Sequence, residues 1–345
     1  MIIFHPFEDG TPGNIAPATD VPPPKPVPGD PPPDGPRLWL DLVRPTPEEC
    51  EQICTLYSIP LEHLRAALDA NERPRMEFAN NILLIVTRTP LTKPGNPGST
   101  INTCPLAVIL TPHIVLTVCL NESIAQTLLC RKILGKGPRL AERLVLTLLL
   151  RISTTFIEQL HLMDEHVTHL EQGLVESMRN QGIIQMLHVE KSLIYFLTAL
   201  KGNQSVLEKI RYGSLLAHGL SPGGHPVPGD RNATPLTATE EERDLLDDVL
   251  IENRQATDMA EIYTQIMGSL SDAFEGIVSN NLNKVMKVLT GLTVVVMIPS
   301  IIGALYGMNV ALPFQENPHA FVGLCAICLG LSFAVFHILR KMDWM

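Results

Sequence analysis

Two long uncharged runs lie near the C-terminal end of the sequence, VLTGLTVVVMIPSIIGALYGMNVALPFQ at residues 288–315 and NPHAFVGLCAICLGLSFAVFHIL at residues 317–339. An α-helix rises about 1.5 Å per residue, so about 20 apolar residues cross the roughly 30 Å hydrocarbon core of a bilayer. A buried helix pair in a soluble core is a much weaker interpretation of two such lengths in succession. The sequence therefore predicts transmembrane helices at 288–308 and 320–339, joined by an external loop at 309–319.

The charges that flank the two runs predict their orientation. Lys284 and Lys287 precede the first run, Arg340 and Lys341 follow the second, and the connecting loop contains neither lysine nor arginine. Positive residues favour the cytoplasmic side of a membrane. We therefore expect a multi-pass protein of the cell (inner) membrane, with the lipid bilayer as a partner, both termini cytoplasmic and a basic tail at 340–345.

Residues 1–36 and 37–135 differ in composition. The first segment is dominated by proline from residue 11 onward and has no hydrophobic periodicity, so we expect a disordered leader. The second contains runs rich in Ile, Val, Leu and Thr, among them RLWLDLV, which are typical of strands. PTPEECEQICTLY predicts a helix with Thr46 as its N-cap and Glu49 three residues on. Residues 37–135 are predicted to form a cytoplasmic α/β domain with a mixed or antiparallel sheet.

Residues 136–287 have the pattern of long helices. One proline-free run of about 40 residues starts at Arg139, a second helical stretch follows, and a proline- and glycine-rich break lies at 220–235. After the break, Thr237 and Thr239 precede three glutamates and suit the start of a helix. This last helix leads without interruption into the first uncharged run. We expect a cytoplasmic stalk of long α-helices.

The composition excludes several classes of protein. The formal net charge of −10 argues against a nucleic-acid partner, because binding phosphate requires a basic face. GKGPRL at 135–140 lacks the preceding glycine and the strand context of a phosphate-binding loop. The sequence therefore offers no nucleotide-binding motif for ATP-driven transport. No nucleophile–base pair or organic cofactor loop emerges, and we do not expect an enzyme. The seven cysteines, mostly in apolar contexts, are predicted to be reduced.

One face of the first uncharged run alternates polar and bulky apolar side chains. Its residues lie three and four apart, as neighbours on a helix face do. They are Asn283, Met286, Leu289, Thr293, Met297, Ser300 and Ala304. Small polar residues stabilise packing between membrane helices, and the same stripe can equally line a pore with apolar gates. Periodicity does not distinguish these two roles.

The end of this run carries a more specific signal. Tyr306-Gly307-Met308-Asn309 resembles the Gly-Met-Asn signature of the CorA family of magnesium (divalent metal) ion channels and transporters. NNLNKVMKVLT (280–290) is similar to the family's pore-helix entry, and WLDL, PTPEE and NERPRMEF resemble its cytoplasmic domain. The resemblance covers about residues 37–345. It implies a funnel-shaped homopentamer in which the first spans line a central pore.

The resemblance also implies roles for individual residues. Gly307, Met308 and Asn309 would form the outer selectivity filter, and glycine at 307 has the freedom to let the chain leave the helix. The implied pore-lining positions, together with Thr293 on the same face, are Asn283, Leu289, Met297 and Ser300.

Acidic residues are implied to regulate the pore. Asp248 coincides with an acid that binds Mg²⁺ between adjacent subunits and holds the pore closed, and Asp272 with an acid at the inner mouth. The external loop VALPFQENPHAF departs from the family's usual Met-Pro-Glu-Leu, and Glu316 is the candidate to replace its acid.

These implications lead to one main hypothesis and two alternatives. The main hypothesis is passive Mg²⁺ influx driven by the membrane potential, with Mg²⁺ as both the transported and the regulatory ion. One alternative is a Zn²⁺ or broad divalent (Co²⁺, Ni²⁺) transporter of the same fold, with or without coupling to protons. The other is a membrane-tethered sensor or scaffold that binds a partner and never conducts.

Overall fold

The structure is a computed structural model. It describes residues 2–8, 11–12, 38–80, 82–91, 100–120, 139–176, 180–217, 236–237, 239–308, 319–342 and 344. The chain divides into two compact units, Met1–Met267 and Gly268–Met345. Among the described residues, the first unit contains a β-sheet with helices, and the regular structure of the second unit is helical.

Within the described ranges, the sheet of the first unit has seven strands. They are β1 (Ile2–Glu8), β2 (Thr11–Pro12), β3 (Leu38–Val43), β4 (Arg75–Ala79), β5 (Ile82–Pro90), β6 (Thr103–Leu110) and β7 (Ile114–Cys119). Their order is β2-β1-β3-β7-β6-β5-β4. Strands β3 and β7 are parallel, with Trp39 opposite Val115, and every other pair is antiparallel. The predicted α/β organisation is confirmed, and the sheet is mixed.

Two short helices cover one face of the sheet. Helix α1 (Pro47–Tyr57) begins with a capping box: the Thr46 hydroxyl accepts from the Glu49 amide at 3.2 Å, and Glu49 accepts from the Thr46 amide at 2.8 Å. The predicted N-cap is therefore confirmed. Helix α2 (Leu61–Ala66) follows directly. Alternate strand residues pack against both helices in one apolar core, which includes Leu40, Ile53, Leu64, Val86, Ile109 and Leu116.

Two long helices follow the sheet in sequence and pack on each other. They are α3 (Leu140–Glu176) and α4 (Asn180–Ala217). The rings of Phe156 and Phe196 meet edge to face, with centroids 5.1 Å apart, and both side chains are fully buried. Edge-to-face contact is a favoured geometry for aromatic pairs. This contact anchors α3 to α4.

Helix α4 is tied to the sheet by an asparagine that replaces a strand partner. Strand β4 begins at Arg75, opposite Val86, so the described β4 does not reach Arg88 of β5. The Asn203 carboxamide accepts from the Arg88 amide at 2.9 Å and donates to the Arg88 carbonyl at 2.8 Å. The neighbouring Gly202 permits this approach, because a Cβ there would lie 2.7 Å from the Pro74 ring.

The last two helices are α5 (Glu240–Tyr306) and α6 (Ala320–Lys341). Helix α5 contributes residues to both units and contains Pro299. Its N-cap is Thr239, whose hydroxyl accepts from the Glu242 amide at 3.3 Å while Glu242 accepts from the Thr239 amide at 3.0 Å. Within the first unit, Asn253 donates to Gln204 of α4 at 2.9 Å.

The structure corrects the expectation of a wholly disordered leader. Ile2–Glu8 form β1, which pairs antiparallel with β3 from Ile2 opposite Leu42 to Pro6 opposite Leu38. The physical reason is that the outer edge of β3 carries backbone groups that need partners, and a short apolar segment supplies them. The expectation for residues 13–36 lies outside the described residues. Strand β4 and helix α2 were also missed by the sequence patterns.

Replacing Asn203 tests the link between α4 and the sheet. Asn203→Ala leaves the Arg88 N–H and C=O buried and unpaired, so we expect the unfolding free energy to fall by about 2–4 kcal/mol. Thermal unfolding of the full-length protein in detergent measures the change. Ser205→Ala is the control, since that exposed hydroxyl only donates to the Lys201 carbonyl of its own helix. Equal midpoints for the two variants would contradict the assigned role.

Candidate functional site

Three helices in the described part of the chain are long and apolar enough to cross a membrane. They contain Gly182–Gly213, Glu240–Tyr306 and Phe321–Lys341. The first, in α4, uses its apolar residues within the first unit, where Leu193 and Phe196 are fully buried. The apolar windows of α5 and α6 are 6% and 0% buried. Large exposed apolar surfaces mark sites that contact protein or membrane, which favours α5 and α6 as the membrane pair.

Helices α5 and α6 contact each other along one side of α5. The Ser332 hydroxyl of α6 donates to the Val295 carbonyl of α5 at 3.4 Å. On α5, the buried or half-buried positions in this region recur every three or four residues, at Gly291, Val295, Ile298 and Ile302. Glycine at 291 allows close approach of a neighbouring helix, as small residues do in membrane proteins. This stripe is the α6-facing side of α5.

The polar stripe found in the sequence lies on the opposite side of α5. At about 100° per residue, Thr293 and Ser300 point roughly 170° away from the middle of the α6-facing side, and Met297 points roughly 130° away from it. All three are exposed, with Met297 at 56%, and Leu289 on the same face is also 56% exposed. Asn283 is exposed at the start of this face. The contact with α6 therefore leaves this face of α5 uncovered within the chain.

The hydroxyl groups of Thr293 and Ser300, on the uncovered face, donate hydrogen bonds to backbone carbonyls of α5. Thr293 donates to the Leu289 carbonyl at 2.8 Å, and Ser300 donates to the Val296 carbonyl at 3.2 Å. A hydroxyl has one donor and two acceptor lone pairs. With the donor committed to the backbone, both oxygens present only acceptors outward. Such a surface suits groups that donate hydrogen bonds, including the water shell of a cation.

Gly307 directly follows the C-terminal end of α5. The helix ends at Tyr306, and the Gly307 amide still donates to the Gly303 carbonyl at 3.0 Å. Gly307 does not adopt the left-handed backbone conformation that favours glycine. The Gly307 amide thus still follows the hydrogen-bond pattern of the helix, and the expected role of Gly307 in letting the chain leave the helix stays a prediction. Met308 is exposed, whereas Asn309 and Glu316 lie outside the described residues.

The predicted regulatory acids lie exposed on α5. Asp248 belongs to the first unit, beside Asp247, whose carboxylate is 3.5 Å from the Arg211 guanidinium of α4. Asp272 is exposed in the second unit. No group of three or more His, Cys, Asp or Glu side chains within the described ranges is placed to hold a metal ion. A single chain therefore brings neither acid into a metal-binding cluster among these residues.

Comparison with known proteins identifies a matching family model and a similar curated protein. A family model described as CorA-like Mg²⁺ transporter protein matches residues 37–341. The chain is also similar to a curated protein, the cobalt/magnesium transport protein CorA of Methanocaldococcus jannaschii. The two are 26% identical over 313 residues, which cover 89% of this chain and 91% of that protein.

Solved structures share the fold of the whole chain. The complete structure of the CorA magnesium transporter from Methanocaldococcus jannaschii matches with a TM-score of 0.75 at 22% identity, covering 100% of this chain and 99% of that one. The full-length CmaX protein matches with a TM-score of 0.66 at 18% identity, covering 98% and 97%. At these identities the likeness concerns the fold alone.

Cysteine substitution tests which side of α5 meets water. In a cysteine-free background, Met297→Cys and Ser300→Cys are expected to react with a water-soluble thiol reagent, because their face is uncovered by α6. Ile298→Cys and Ile302→Cys, on the α6-facing side, are the matched controls and should react about tenfold more slowly, since an apolar environment disfavours the thiolate. Time-resolved mass spectrometry of the reconstituted protein measures the rates. Equal rates on both sides, or the reverse order, would contradict the assignment.

Proposed function

Because the chain belongs to the family of CorA-like Mg²⁺ transporter proteins, whose model matches residues 37–341, we propose that it is a passive channel for Mg²⁺ influx. The observation that carries this proposal is the uncovered face of α5, with exposed Leu289 and Met297 and the outward-facing acceptors of Thr293 and Ser300. Five copies of this face would enclose a pore along a central axis. The homopentamer is part of the proposal.

The proposed selectivity filter is a ring of Gly307, Met308 and Asn309 from each subunit. Mg²⁺ loses its water reluctantly, so a site that selects it passively does best by holding the hydrated ion. Backbone carbonyls and the Asn309 amide oxygen accept hydrogen bonds from the water shell without removing it. An amide is neutral, so it binds the hydrated ion weakly enough for release. Glu316 would raise the local cation concentration outside this ring.

The other proposed pore-lining residues also suit a hydrated cation. Asn283, Thr293 and Ser300 supply neutral oxygen acceptors, while Leu289 and Met297 supply apolar constrictions. Hydroxyl oxygens whose protons are already used can only accept, which matches the outward-pointing hydrogens of a hydrated cation. Apolar rings of this kind can close a pore by excluding water. The polar groups would therefore conduct the hydrated ion and the apolar groups would gate it.

The driving force and the membrane placement follow from charge. We propose that α5 from Val288 and α6 form a hairpin in the cell (inner) membrane with both termini in the cytoplasm, since basic residues flank the hairpin on that side. A divalent ion moving inward gains about 4.6 kcal/mol per 100 mV of membrane potential. No ATP hydrolysis or proton gradient is then needed for uptake.

Regulation is proposed to come from the acidic cytoplasmic residues. Asp248 and Asp272 are exposed, so each is free to face a neighbouring subunit. A divalent ion between carboxylates of adjacent subunits would offset their repulsion and favour the closed arrangement. Loss of that ion at low internal Mg²⁺ would remove the restraint and open the pore.

Co²⁺ is the second candidate cargo. The curated relative is named a cobalt/magnesium transport protein. Hydrated Co²⁺ presents the same kind of water shell to a filter that contacts only water. A filter of neutral oxygens therefore does not distinguish the two ions strongly, and both belong in any transport assay.

Substitution of Asn309 tests the proposed filter. Asn309→Ala removes one acceptor from each subunit, and a hydrogen bond to a charged group contributes about 1.5–3 kcal/mol. We expect Mg²⁺ uptake into liposomes under an inside-negative potential to fall about tenfold or more. Block by cobalt hexaammine, which mimics a hydrated ion, should weaken in parallel.

Asn317→Ala is the matched control, because it removes the same side chain from the same external loop. Its uptake should stay within about twofold of the unmodified protein. Unchanged uptake and unchanged block in Asn309→Ala would refute the filter. A full loss in both variants would show that the loop as a whole matters rather than this amide.

A further inference from the structure

A partly buried charged cluster lies where the beginning of α3 meets the beginning of α5, within the first unit. Arg139 precedes α3, Glu142 lies in its first turn, and Glu242 lies in the first turn of α5. The Arg139 Nε atom donates to Glu242 Oε1 at 2.8 Å, and its Nη2 lies 3.5 Å from Glu142 Oε1. One guanidinium thus lies between two carboxyl groups.

Glu242 is fully buried, and both of its oxygens have partners. Oε1 accepts from Arg139, and Oε2 accepts from the Thr239 amide at 3.0 Å in the capping box of α5. Its side chain has no exposed surface. This carboxylate can stay ionised because a cation and an N–H group compensate for the lost water. It also joins Arg139 to the first turn of α5.

Glu142 lacks comparable compensation. Its side chain is 12% exposed, its Oε1 lies 3.5 Å from the Arg139 guanidinium, and its buried Oε2 has no hydrogen-bond partner among the described residues. An ionised carboxylate in this position would add a second negative charge to a cluster with one guanidinium. A neutral carboxylic acid needs no counter-charge, and its O–H can donate to a neighbour.

We propose that Glu142 is a proton-binding site, and that its ionisation at rising pH weakens the contact between the first turns of α3 and α5. When Glu142 is protonated, Arg139 pairs fully with Glu242 and the α5 capping box is held. When Glu142 is ionised, it competes for Arg139 and repels Glu242. The cluster thereby makes the start of α5 pH-sensitive, and α5 is the helix that carries the proposed pore face.

The direction of the effect follows from the pKa of Glu142. Burial raises this pKa above the ordinary glutamate value and Glu242 raises it further, while the helix amide and Arg139 oppose the rise. In the window between the ordinary and the raised value, the folded protein binds more protons than the unfolded chain. The free energy of unfolding therefore decreases as the pH rises through this window. Below the ordinary value the contribution is fully present.

The nearest other charges form a separate pair. Arg143 contacts Glu241, whose side chain is 74% exposed, so this pair is screened by water. The charged groups that face Glu142 from α3 and α5 in the described structure are thus Arg139 and Glu242. Glu241 offers a control, since replacing it changes the net charge equally and it lies in the same first turn of α5 as Glu242.

The test compares Glu142→Gln with the unmodified full-length protein in detergent. Glutamine imitates the protonated acid at every pH. The two thermal midpoints should agree at about pH 4, below the ordinary glutamate value, and the variant should be about 2–4 °C more stable at about pH 8. Glu142→Met also lacks a proton-binding group. The midpoint of this variant relative to that of the unmodified protein should therefore change with pH in the same way. Glu241→Gln should differ from the unmodified protein by the same amount at both pH values.

Hydrogen exchange gives a readout that does not depend on global unfolding. After correction for the intrinsic pH dependence, the amides of Glu242 and Arg243 in the unmodified protein should lose protection between about pH 5 and pH 8. The same amides in Glu142→Gln should keep their protection. A midpoint difference that does not change with pH, or equal loss of protection in both proteins, would overturn the proposal.

Discussion

The exposed apolar surface of α5 and α6 is the constraint on which the rest of the account depends. Few side chains along either helix window are buried within the chain, although both windows have the composition of a membrane span. Water does not tolerate such a surface, and a bilayer does. If lipid and neighbouring copies of the chain cover this surface, the polar side chains of α5 can be interpreted by the side of the helix on which they lie. Their side of the helix is the side that α6 leaves free.

Polar contacts in the first unit have a different purpose. Asn203 completes the backbone pairing of Arg88, and Glu242 joins the capping box of α5 to Arg139. Each contact fixes one helix relative to another element of the same unit, and each is at least partly buried. Buried polar groups are costly unless they are paired, so these contacts specify the positions of α4 and α5 closely. The partly compensated Glu142 is the exception, which is why it is a plausible point of control.

The sequence predicted features that depend on local pattern. The capping box of Thr46 and Glu49 and the strand from Leu38 follow from residues close together in the chain. It could not predict that Asn203 would replace a strand partner 115 residues away, or that Ile2–Glu8 would pair with β3, because these depend on tertiary contacts. Periodicity found the stripe through Thr293 and Ser300 but not its role. The contact between Ser332 and Val295 identified the side of α5 that faces α6, and thereby showed that the stripe lies on the other side.

The most direct test of the central claim is divalent-cation flux through the purified protein in liposomes. Mg²⁺, Co²⁺, Ni²⁺ and Zn²⁺ are offered in turn, with an imposed potassium diffusion potential and with or without a pH gradient. A passive channel predicts Mg²⁺ entry that grows as the interior becomes more negative and does not require a pH gradient. Absence of flux for every ion, or Mg²⁺ entry only when a proton gradient is present, would contradict it.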